Sequence, residues 1–432
     1  MKKLAILGNE RAVIIPSPHF VWPIVGKEEK EAVMRQLNIG AISINDWSGI
    51  LKEFEFKFAE YQDMKYALTT NNGTSALLSA YFACNIQERD EVIAPAYTFL
   101  ATVTPLLHLG AIPILCDGLA ENGNINPTEI EARITNKTKA IVITHVWGHP
   151  CEMDEITRIA KEHNLLLIED CSHAHGSTYK GQKVGTFGDV ACFSLQGKKM
   201  LYAGEGGVLV TNNRKIYERA ILYGHYRMRT KQCVKDEFLK NYSSLGYGLK
   251  FRMHPLAAAL ALVGLEKLDA RIEQRKENLD YFSDLLKDIK GIEPPTTKDY
   301  VTRGAYYGYK PLYKPEELGG VSVYTYVKAL QAEGVEVHKP GSAPLCNYML
   351  FQNVYNEKNK VEWPMRSCFA KSGIKYSAED FPVTMDYYSR AISLPTFTLP
   401  TDKEIITQYA DAFRKVADNY LDLLEYENNL CE

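Results

Sequence analysis

The chain has 432 residues, of which 46% are hydrophobic and 24% are charged, and its formal net charge is −3. Its length suits two domains, and the weak charge gives no reason to expect nucleic acid or an anionic membrane as a partner. Nine cysteines without a CxxC pair favour reduced thiols in a cytoplasm over a disulfide framework or a zinc site. The first residues lack the features of a signal peptide, and no apolar run approaches membrane-spanning length.

Residues 1–60 form an N-terminal segment with a mainly helical pattern. The hydrophobic period predicts a helix over 28–37, and Gly40 is a plausible stop. A second helical pattern covers 50–61. We expect this segment to precede the first domain.

From residue 66 the pattern changes to strands and helices in alternation. Helices are predicted from the NNGTSAL turn onward, over 98–109, up to about 133 and over 153–163. Strands are predicted over 66–70, 91–94, 112–116, 140–144, 165–168 and 190–195. Continuous apolar strands separated by helices indicate a mainly parallel sheet covered on both faces. We therefore predict a large α/β domain over 61–250.

The last part of the chain, 251–432, has the pattern of a smaller α+β domain. Its helices are predicted over 252–289, 323–333 and 401–426, and its strands over 308–312 and 335–338. Residues 340–390 carry Gly, Pro and many aromatic residues without a clear period. We interpret them as an irregular insertion with no fold of its own.

An acid and a lysine pair follow two neighbouring strands of the predicted sheet. Asp170 ends the run after 165–168, while Lys198 and Lys199 follow 190–195 and precede the glycine turn GEGG. Side chains at the carboxyl ends of parallel strands can converge on one ligand. A Schiff-base lysine and a carboxylate at the pyridinium nitrogen are the two protein groups that pyridoxal phosphate needs. A salt-bridged acid and a solvated lysine pair are the ordinary alternatives.

Further groups in this region could complete such a site. Thr70 to Ser75 lie where a strand meets a helix, so free N–H groups and hydroxyls could bind a phosphate, although a plain helix cap explains them too. Tyr97 or Phe99 could stack on a flat ring, although core packing is commoner. His173 could bind the phenolic oxygen of the cofactor.

Several motifs occur in a fixed order along the chain: NNGTSAL, PAYTFLAT, GAIPILCD, IEDCSHAHGS, VGTFGDVACFSLQGKK and GEGGVLVT. In these motifs, and in LGYGLKFRMHPLAAALALVGLEKLD and SLPTFTLPTDKEI, the chain resembles the DegT–StrS family of pyridoxal-phosphate-dependent sugar and cyclitol aminotransferases. The resemblance covers most of the chain. It implies fold type I of these enzymes, the aspartate aminotransferase-like α/β fold, and a homodimer with its sites at the subunit interface.

The resemblance also implies the reaction, which is amino transfer from glutamate or glutamine to a ketone of a sugar, often nucleotide-linked, or of a cyclitol. Such reactions make amino sugars for surface polysaccharides or antibiotic-like products. The partners expected are therefore small molecules and a second copy of the chain. The resemblance implies no metal.

Site residues follow from the same resemblance, motif by motif. The Schiff-base lysine lies five residues before the glycine at 204, which selects Lys199 over Lys198. Asp170 matches the acid at the pyridine nitrogen, His173 the residue beside the ring hydroxyl, and Phe99 the stacking aromatic. The phosphate contacts match Gly73, Thr74, Ser75 and Ser194.

The chain departs from the family pattern at two places. The family commonly has GYNYRM, whose asparagine reaches the phosphate of the neighbouring subunit's cofactor, and Lys250 stands in that place here. A lysine could still contact a phosphate as a point charge. The substrate-binding segment of the family is not recognisable in this sequence, and residues 337–340 are its nearest match. The sequence therefore does not define the pocket for the acceptor.

Three other functions compete with an aminotransferase. A sugar dehydratase of the same fold would have histidine in place of Lys199. A non-catalytic, cofactor-binding regulator would not need the lysine, the aspartate and the phosphate contacts together. A nicotinamide oxidoreductase would need GxGxxG after the first strand, and NNGTSAL is not that motif.

Overall fold

A seven-stranded sheet lies at the centre of the computed structural model, which describes residues 3–352 and 368–431. In spatial order its strands run β1-β7-β6-β5-β4-β2-β3, and β7 is antiparallel to both neighbours while all other pairs are parallel. Numbered along the chain, they are β1 (Tyr66–Thr70), β2 (Glu91–Pro95), β3 (Ile112–Cys116), β4 (Thr138–Thr144), β5 (Leu166–Asp170), β6 (Val190–Ser194) and β7 (Gly207–Thr211). The predicted, mainly parallel sheet is confirmed, and β7 is an additional strand.

Both faces of the sheet are covered, because alternate residues of each strand enter different apolar cores. Along β6, Val190 and Cys192 belong to one core, whereas Ala191 and Phe193 belong to the core on the opposite face. Alternation with apolar residues on both sides is typical of parallel strands buried between helices.

Each predicted helix has a counterpart in the structure, but some long patterns are interrupted, and the helices between residues 212 and 241 were not predicted. The predicted helix over 98–109 is a 3₁₀ turn at Leu100–Thr102 followed by a short helix, because Pro105 lacks an amide hydrogen and suits only the first turn of a new helix. The patterns over 252–289 and 401–426 are likewise each two helices. The helices are Lys27–Ile39, Gly49–Tyr61, Gly73–Ala83, Thr104–His108, Pro127–Ala132, Met153–Glu162, Arg214–Gly224, Met228–Cys233, Glu237–Lys240, Pro255–Glu266, Leu268–Leu286, Val323–Ala332, Met349–Gln352, Cys368–Lys371, Pro382–Arg390, Lys403–Asp418 and Tyr420–Cys431. Within the described residues, none of them has both the length and the apolar character that crossing a bilayer requires.

Apart from the cores against the two sheet faces, a separate apolar core, called the second core below, lies in the C-terminal part of the chain and includes the first residues as well. Leu4 and Val13 pack into this core. The buried Glu333 carboxylate lies 2.8 Å from the Lys415 amine and accepts hydrogen bonds from the backbone amides of Ala5 and Ala12. The predicted strands here are wrong in extent. Of the pattern over 308–312, only the end is a strand, Leu312–Tyr313, which pairs with the unpredicted strand Ile292–Glu293. The pattern over 335–338 yields a single bridge from His338 to Ser393. The division into domains at residues 60 and 250 stays a prediction.

The segment over 340–390 returns from the second core to the large sheet. Its buried aromatic residues join the core that covers one sheet face, and it contains the helix Pro382–Arg390, which the sequence analysis did not predict. The Asp117 carboxylate at the end of β3 accepts hydrogen bonds from Val383 and Thr384 in the first turn of that helix. Part of the predicted insertion, residues 353–367, lies outside the described residues.

Gly207 begins β7 at a point where there is no room for a side chain. A Cβ atom there would lie 2.5 Å from the Asn72 carbonyl oxygen and carbon. We expect Gly207→Ala to lower the free energy of unfolding by about 2 kcal/mol, because backbone must shift to relieve the contact. Denaturant unfolding measures this change. Gly197→Ala is the control, because its Cβ would meet only one carbonyl oxygen at 3.8 Å; an equal loss in both variants would contradict the steric explanation.

Candidate active site

A cavity of about 1050 Å³ opens at the carboxyl edge of the sheet, where β2, β4, β5 and β6 end. Ligands of open α/β sheets bind outside this edge. Seven of the nine predicted site residues line the cavity, namely Gly73, Thr74, Phe99, Asp170, His173, Ser194 and Lys199. Ser75 and Lys250 do not line it.

Asp170 is the last residue of β5, and its carboxylate is held by one hydroxyl group and one backbone amide. Its Oδ2 accepts a hydrogen bond of 2.7 Å from the Thr102 hydroxyl, and its Oδ1 accepts one from the backbone of Ser172. Thr98 and Thr144 in turn bind each other at 2.8 Å, and Thr98 binds Thr102 at 2.7 Å. This buried hydroxyl network fixes the direction of the carboxylate.

Lys199 follows β6 in a short turn and is only 8% exposed. Its backbone is held on both sides, since its N–H donates to the Gln196 carbonyl and its carbonyl accepts from the Trp22 indole at 3.0 Å. Burial lowers the pKa of Lys199 to about 7, although the Asp170 charge opposes this change. The amine therefore has an uncharged, nucleophilic form near neutral pH. The exposed Lys198 has its backbone N–H bound by the Gln196 side chain.

His173 lies in a group of three nearly parallel rings on the cavity wall. Its ring centroid is 4.1 Å from that of Tyr307 and 5.3 Å from that of Trp147. Burial, together with the Lys199 and Lys310 charges, lowers the pKa of His173, so the ring is uncharged. Its buried Nδ1 has no hydrogen-bond partner within the described residues. Such an atom is available to a ligand in the cavity.

Trp147 is held in an uncommon conformation. Its φ angle is 55°, in the left-handed region that large residues rarely adopt. A Cβ atom on Gly308 would lie 2.5 Å from the indole, so only glycine lets the ring lie there. Strained backbone of this kind is concentrated at functional sites.

The opposite end of the cavity lies at the N-terminus of the helix Gly73–Ala83. Asn72 caps this helix by accepting from the Ser75 N–H at 2.8 Å, which is the capping role expected of this motif. Thr74 is exposed and needs no part in the cap, so its hydroxyl faces solvent at the cavity. A Cβ on Gly73 would lie 2.9 Å from the Ser194 side chain, which brings the two segments into contact. Free N–H groups and hydroxyls here can bind an anion.

The remaining predicted residues are placed unequally. Phe99 and Tyr97 both line the cavity, but Phe99 is 51% exposed whereas Tyr97 is buried and packs against Tyr387 of the returning segment. Ser75 is buried behind the helix cap. Lys250 is exposed and outside the cavity of its own chain.

The sequence analysis missed several residues of the cavity wall, Phe20, Trp22, Trp147, Tyr307 and Lys310, and also Thr102, which binds Asp170 from behind the wall. Trp147 could have been found from the sequence, because it closely follows the carboxyl end of β4, where ligand-binding side chains are expected. Lys310 and Tyr307 come from a segment whose sequence gives no indication of a ligand site.

One buried cluster of possible metal ligands, His145, Glu169 and Cys171, lies next to this site. The Glu169 carboxylate already accepts from His145 Nε2 and from three backbone amides of the turn 185–188. His145 Nδ1 accepts from the Cys151 N–H, so Nε2 carries the proton and donates. This network braces the loop after β5.

Comparisons with known proteins agree with the geometry. The sequence model of the DegT/DnrJ/EryC1/StrS aminotransferase family matches residues 23–410. Over 260 residues the chain is 40% identical to GDP-perosamine synthase of Escherichia coli O157:H7, covering 60% of this chain and 69% of that protein. It is 31% identical over 424 residues to the putative L-glutamine:3-amino-2,3-dideoxy-scyllo-inosose aminotransferase of Micromonospora echinospora, covering 97% and 98%. The crystal structure of an aminotransferase from Psychrobacter cryohalolentis matches with a TM-score of 0.79 at 28% identity, covering 93% and 100%.

Proposed function

The chain belongs to the DegT/DnrJ/EryC1/StrS aminotransferase family and is an aminotransferase, and from this premise we propose that it uses pyridoxal 5′-phosphate to move an amino group onto a sugar or cyclitol ketone. The buried pair of Lys199 and Asp170 at one sheet edge carries this proposal. An amine that is uncharged near pH 7 and a carboxylate with a fixed direction are the two groups that this cofactor requires.

The other residues of the cavity fit the rest of the cofactor. His173 offers an unpartnered ring nitrogen for the ring hydroxyl, and Phe99 offers an exposed ring for stacking. Gly73, Thr74 and Ser194 lie at a helix N-terminus and would hold the phosphate. Ser75 is left with a supporting role in this arrangement.

Bound pyridoxal phosphate supplies an aldehyde that an amine can join and a ring that withdraws electrons from the donor's Cα. Asp170 holds a proton on the ring nitrogen and so maintains that withdrawal. The Lys199 amine takes the proton from Cα of the donor and delivers a proton to C4′ of the cofactor, as base and then as acid.

Glutamate or glutamine is the proposed amino donor, and a ketone of a nucleotide-linked sugar or of a cyclitol is the proposed acceptor. The names of the two relatives support both kinds of acceptor, a nucleotide-linked sugar in one and an inosose in the other. The cavity is large enough for such molecules and carries many polar groups.

The first half-reaction tests the proposal. Glutamate or glutamine should convert the visible absorption band of the bound cofactor to that of its amine form, with one equivalent of keto acid released. Borohydride added before the donor should fix the cofactor on the peptide that contains Lys199, as found by mass spectrometry. If no amino acid converts the band, a dehydratase-like or purely binding function takes precedence.

The pH dependence of covalent capture should follow the Lys199 amine. Because burial lowers its pKa to about 7, from 10.5 for an ordinary lysine, the uncharged amine becomes available as pH rises through 7. The rate at which cofactor-free protein captures pyridoxal phosphate, trapped with borohydride, should therefore rise between about pH 6 and 8 and then level off. A rate that keeps rising toward pH 10 would contradict the assignment.

A homodimer is part of the same proposal. Phe99 and Leu100 are large apolar residues exposed beside the cavity, and Lys250 is exposed on the same chain without a contact to its own cavity. A second copy would cover the first two and would give Lys250 a phosphate to contact. Lys250→Ala with unchanged cofactor affinity would remove Lys250 from the cofactor site.

A further inference from the structure

A second lysine lines the cavity and is half-buried, apart from the residues assigned above. Lys310 precedes Leu312–Tyr313 and lines the cavity with its side chain. Its Nζ lies 4.5 Å from the centroid of the Trp147 ring and donates to the Ser393 hydroxyl oxygen. A Cβ on Gly308 would lie 3.0 Å from Lys310 Cε, so the same glycine makes room for both side chains.

The Lys310 amine has no carboxylate partner among the described residues. Within the described residues, Ser393 is its one hydrogen-bond acceptor, although an ammonium group has three N–H bonds to donate. Burial alone lowers the pKa of Lys310 to about 7, with no carboxylate to raise it. By contrast, Lys415 in the second core is paired with Glu333. A lysine without a charged partner is disfavoured as a cation when water is excluded, and an anionic ligand would restore its charge.

Other charges around the cavity leave a place for an anion at Lys310. Asp170 and Lys199 act on each other, and the wall also includes the acids Glu205 and Glu336 and the exposed Lys198. No arginine lines the cavity in residues 3–352 and 368–431. Recognition of a carboxylate within this chain's cavity therefore depends on a lysine.

The two lysines lie over the same group of rings. Lys199 Nζ is 3.8 Å from the centroid of Tyr307, Lys310 Nζ is 4.5 Å from that of Trp147, and the Tyr307 and Trp147 centroids are 6.4 Å apart. Both lysine charges act on the His173 ring, so the two amines lie at the same part of the cavity. An α-amino acid likewise presents its amino group and its carboxylate together, on one carbon. The phosphates of a nucleotide-linked ketone are several bonds from the reacting carbon and belong nearer the cavity mouth.

We propose that Lys310 is the residue that binds the α-carboxylate of the amino donor. This inference rests on the proposed function and deepens it, because it assigns donor recognition to a residue that holds neither cofactor nor acceptor. Trp147 supports the Lys310 side chain, and Ser393 directs the amine. When the carboxylate is bound, the ammonium gains the charged partner that it lacks in the free enzyme.

Lys310→Met tests this by removing the charge while keeping the length and apolar part of the side chain. The apparent dissociation constant of glutamine or glutamate in the first half-reaction should rise by roughly 30-fold or more. With 4-aminobutanamide, which is glutamine without its α-carboxylate, wild type and variant should differ by less than about 3-fold. Lys310→Arg should restore much of the preference for the carboxylate.

Two measurements without turnover accompany this comparison. Fluorescence titration of the cofactor-free variant should give an affinity for pyridoxal phosphate within about 3-fold of wild type. The affinity for the inert dicarboxylate glutarate, measured by calorimetry, should weaken in parallel with donor binding. Equal losses for glutamine and 4-aminobutanamide would show a structural role and overturn the proposal. A loss confined to the acceptor half-reaction would overturn it too. If wild type converts the donor and Lys310→Met does so equally well, only this inference fails; if wild type accepts no amino acid, the proposed function fails.

Discussion

Lys199→Ala is expected to lower the steady-state rate of amino transfer on the order of 10⁴-fold. On the proposed function, the variant would lose both the amine that attaches the cofactor and the group that moves the proton from Cα. It should still bind pyridoxal phosphate through Asp170 and the phosphate end of the cavity, but without the borohydride-stable link. Rates from a coupled assay of keto acid release, together with mass spectrometry of the reduced protein, measure both effects.

Lys198→Ala is the matched control for that variant. The two lysines are adjacent in sequence, but Lys198 is exposed whereas Lys199 is buried and has its pKa lowered. Lys198→Ala should keep the covalent link. If the link persists in Lys199→Ala and disappears in Lys198→Ala, the assignment of the lysine is wrong by one residue.

Asp170→Asn should lower the rate of the donor half-reaction on the order of 10³-fold. A neutral amide cannot stabilise a protonated ring nitrogen, so electrons from Cα are no longer withdrawn. The side chain keeps its size, so the Thr102 hydroxyl can still bind its oxygen and the fold should not change. Single-turnover conversion of the cofactor band by glutamate measures the effect directly.

Thr102→Val is the control for the carboxylate. It removes the 2.7 Å hydrogen bond to Asp170 Oδ2 and leaves the charge in place. We expect a loss of about 10-fold, in line with one buried hydrogen bond. A loss in Thr102→Val as large as that in Asp170→Asn would mean that orientation, and not charge, is what Asp170 supplies.

The sheet and the two central site residues could be predicted from the sequence because their signals are local. Continuous apolar runs gave β1 to β6 within a few residues, and a strand that ends in a polar residue places that residue at the ligand edge. Asp170 and Lys199 satisfy this rule, and the family motifs selected Lys199 over its neighbour. The polar residues 70–75 also indicated a helix cap, and Asn72 is the capping residue in the structure.

Residues that reach the cavity from distant segments could not be predicted in the same way. Lys310 lies in a stretch predicted as a strand, and only packing against Trp147 and Ser393 places its amine in the cavity. The threonine network around Asp170 depends on the register of β4 and β5, in which Thr144 lies opposite Asp170. Neither arrangement follows from a hydrophobic period or a motif that can be recognised in the sequence.

The wrong elements have physical reasons as well. Pro105 breaks the helix predicted over 98–109, since the hydrophobic period ignores a missing amide hydrogen. The alternation over 335–338 meets a strand criterion, but the backbone finds a single bridge to Ser393 and not a ladder. The helix Pro382–Arg390 starts at a proline and is capped from afar by Asp117, so nothing next to it in sequence marks its start.

The wall of the cavity is drawn from Phe20 at one end of the sequence and Thr396 at the other, and the Trp22 indole binds the Lys199 carbonyl across 177 positions. A ribosome must therefore release nearly the whole chain before this enclosure exists, at a pace of about 5–20 residues per second. The large sheet can form earlier, from contacts closer in sequence. We therefore expect tight binding of the proposed cofactor only after the whole chain has been synthesised and folded. Nascent or interrupted chains should lose the cofactor on dilution, so its retention reports that synthesis and folding have both been completed.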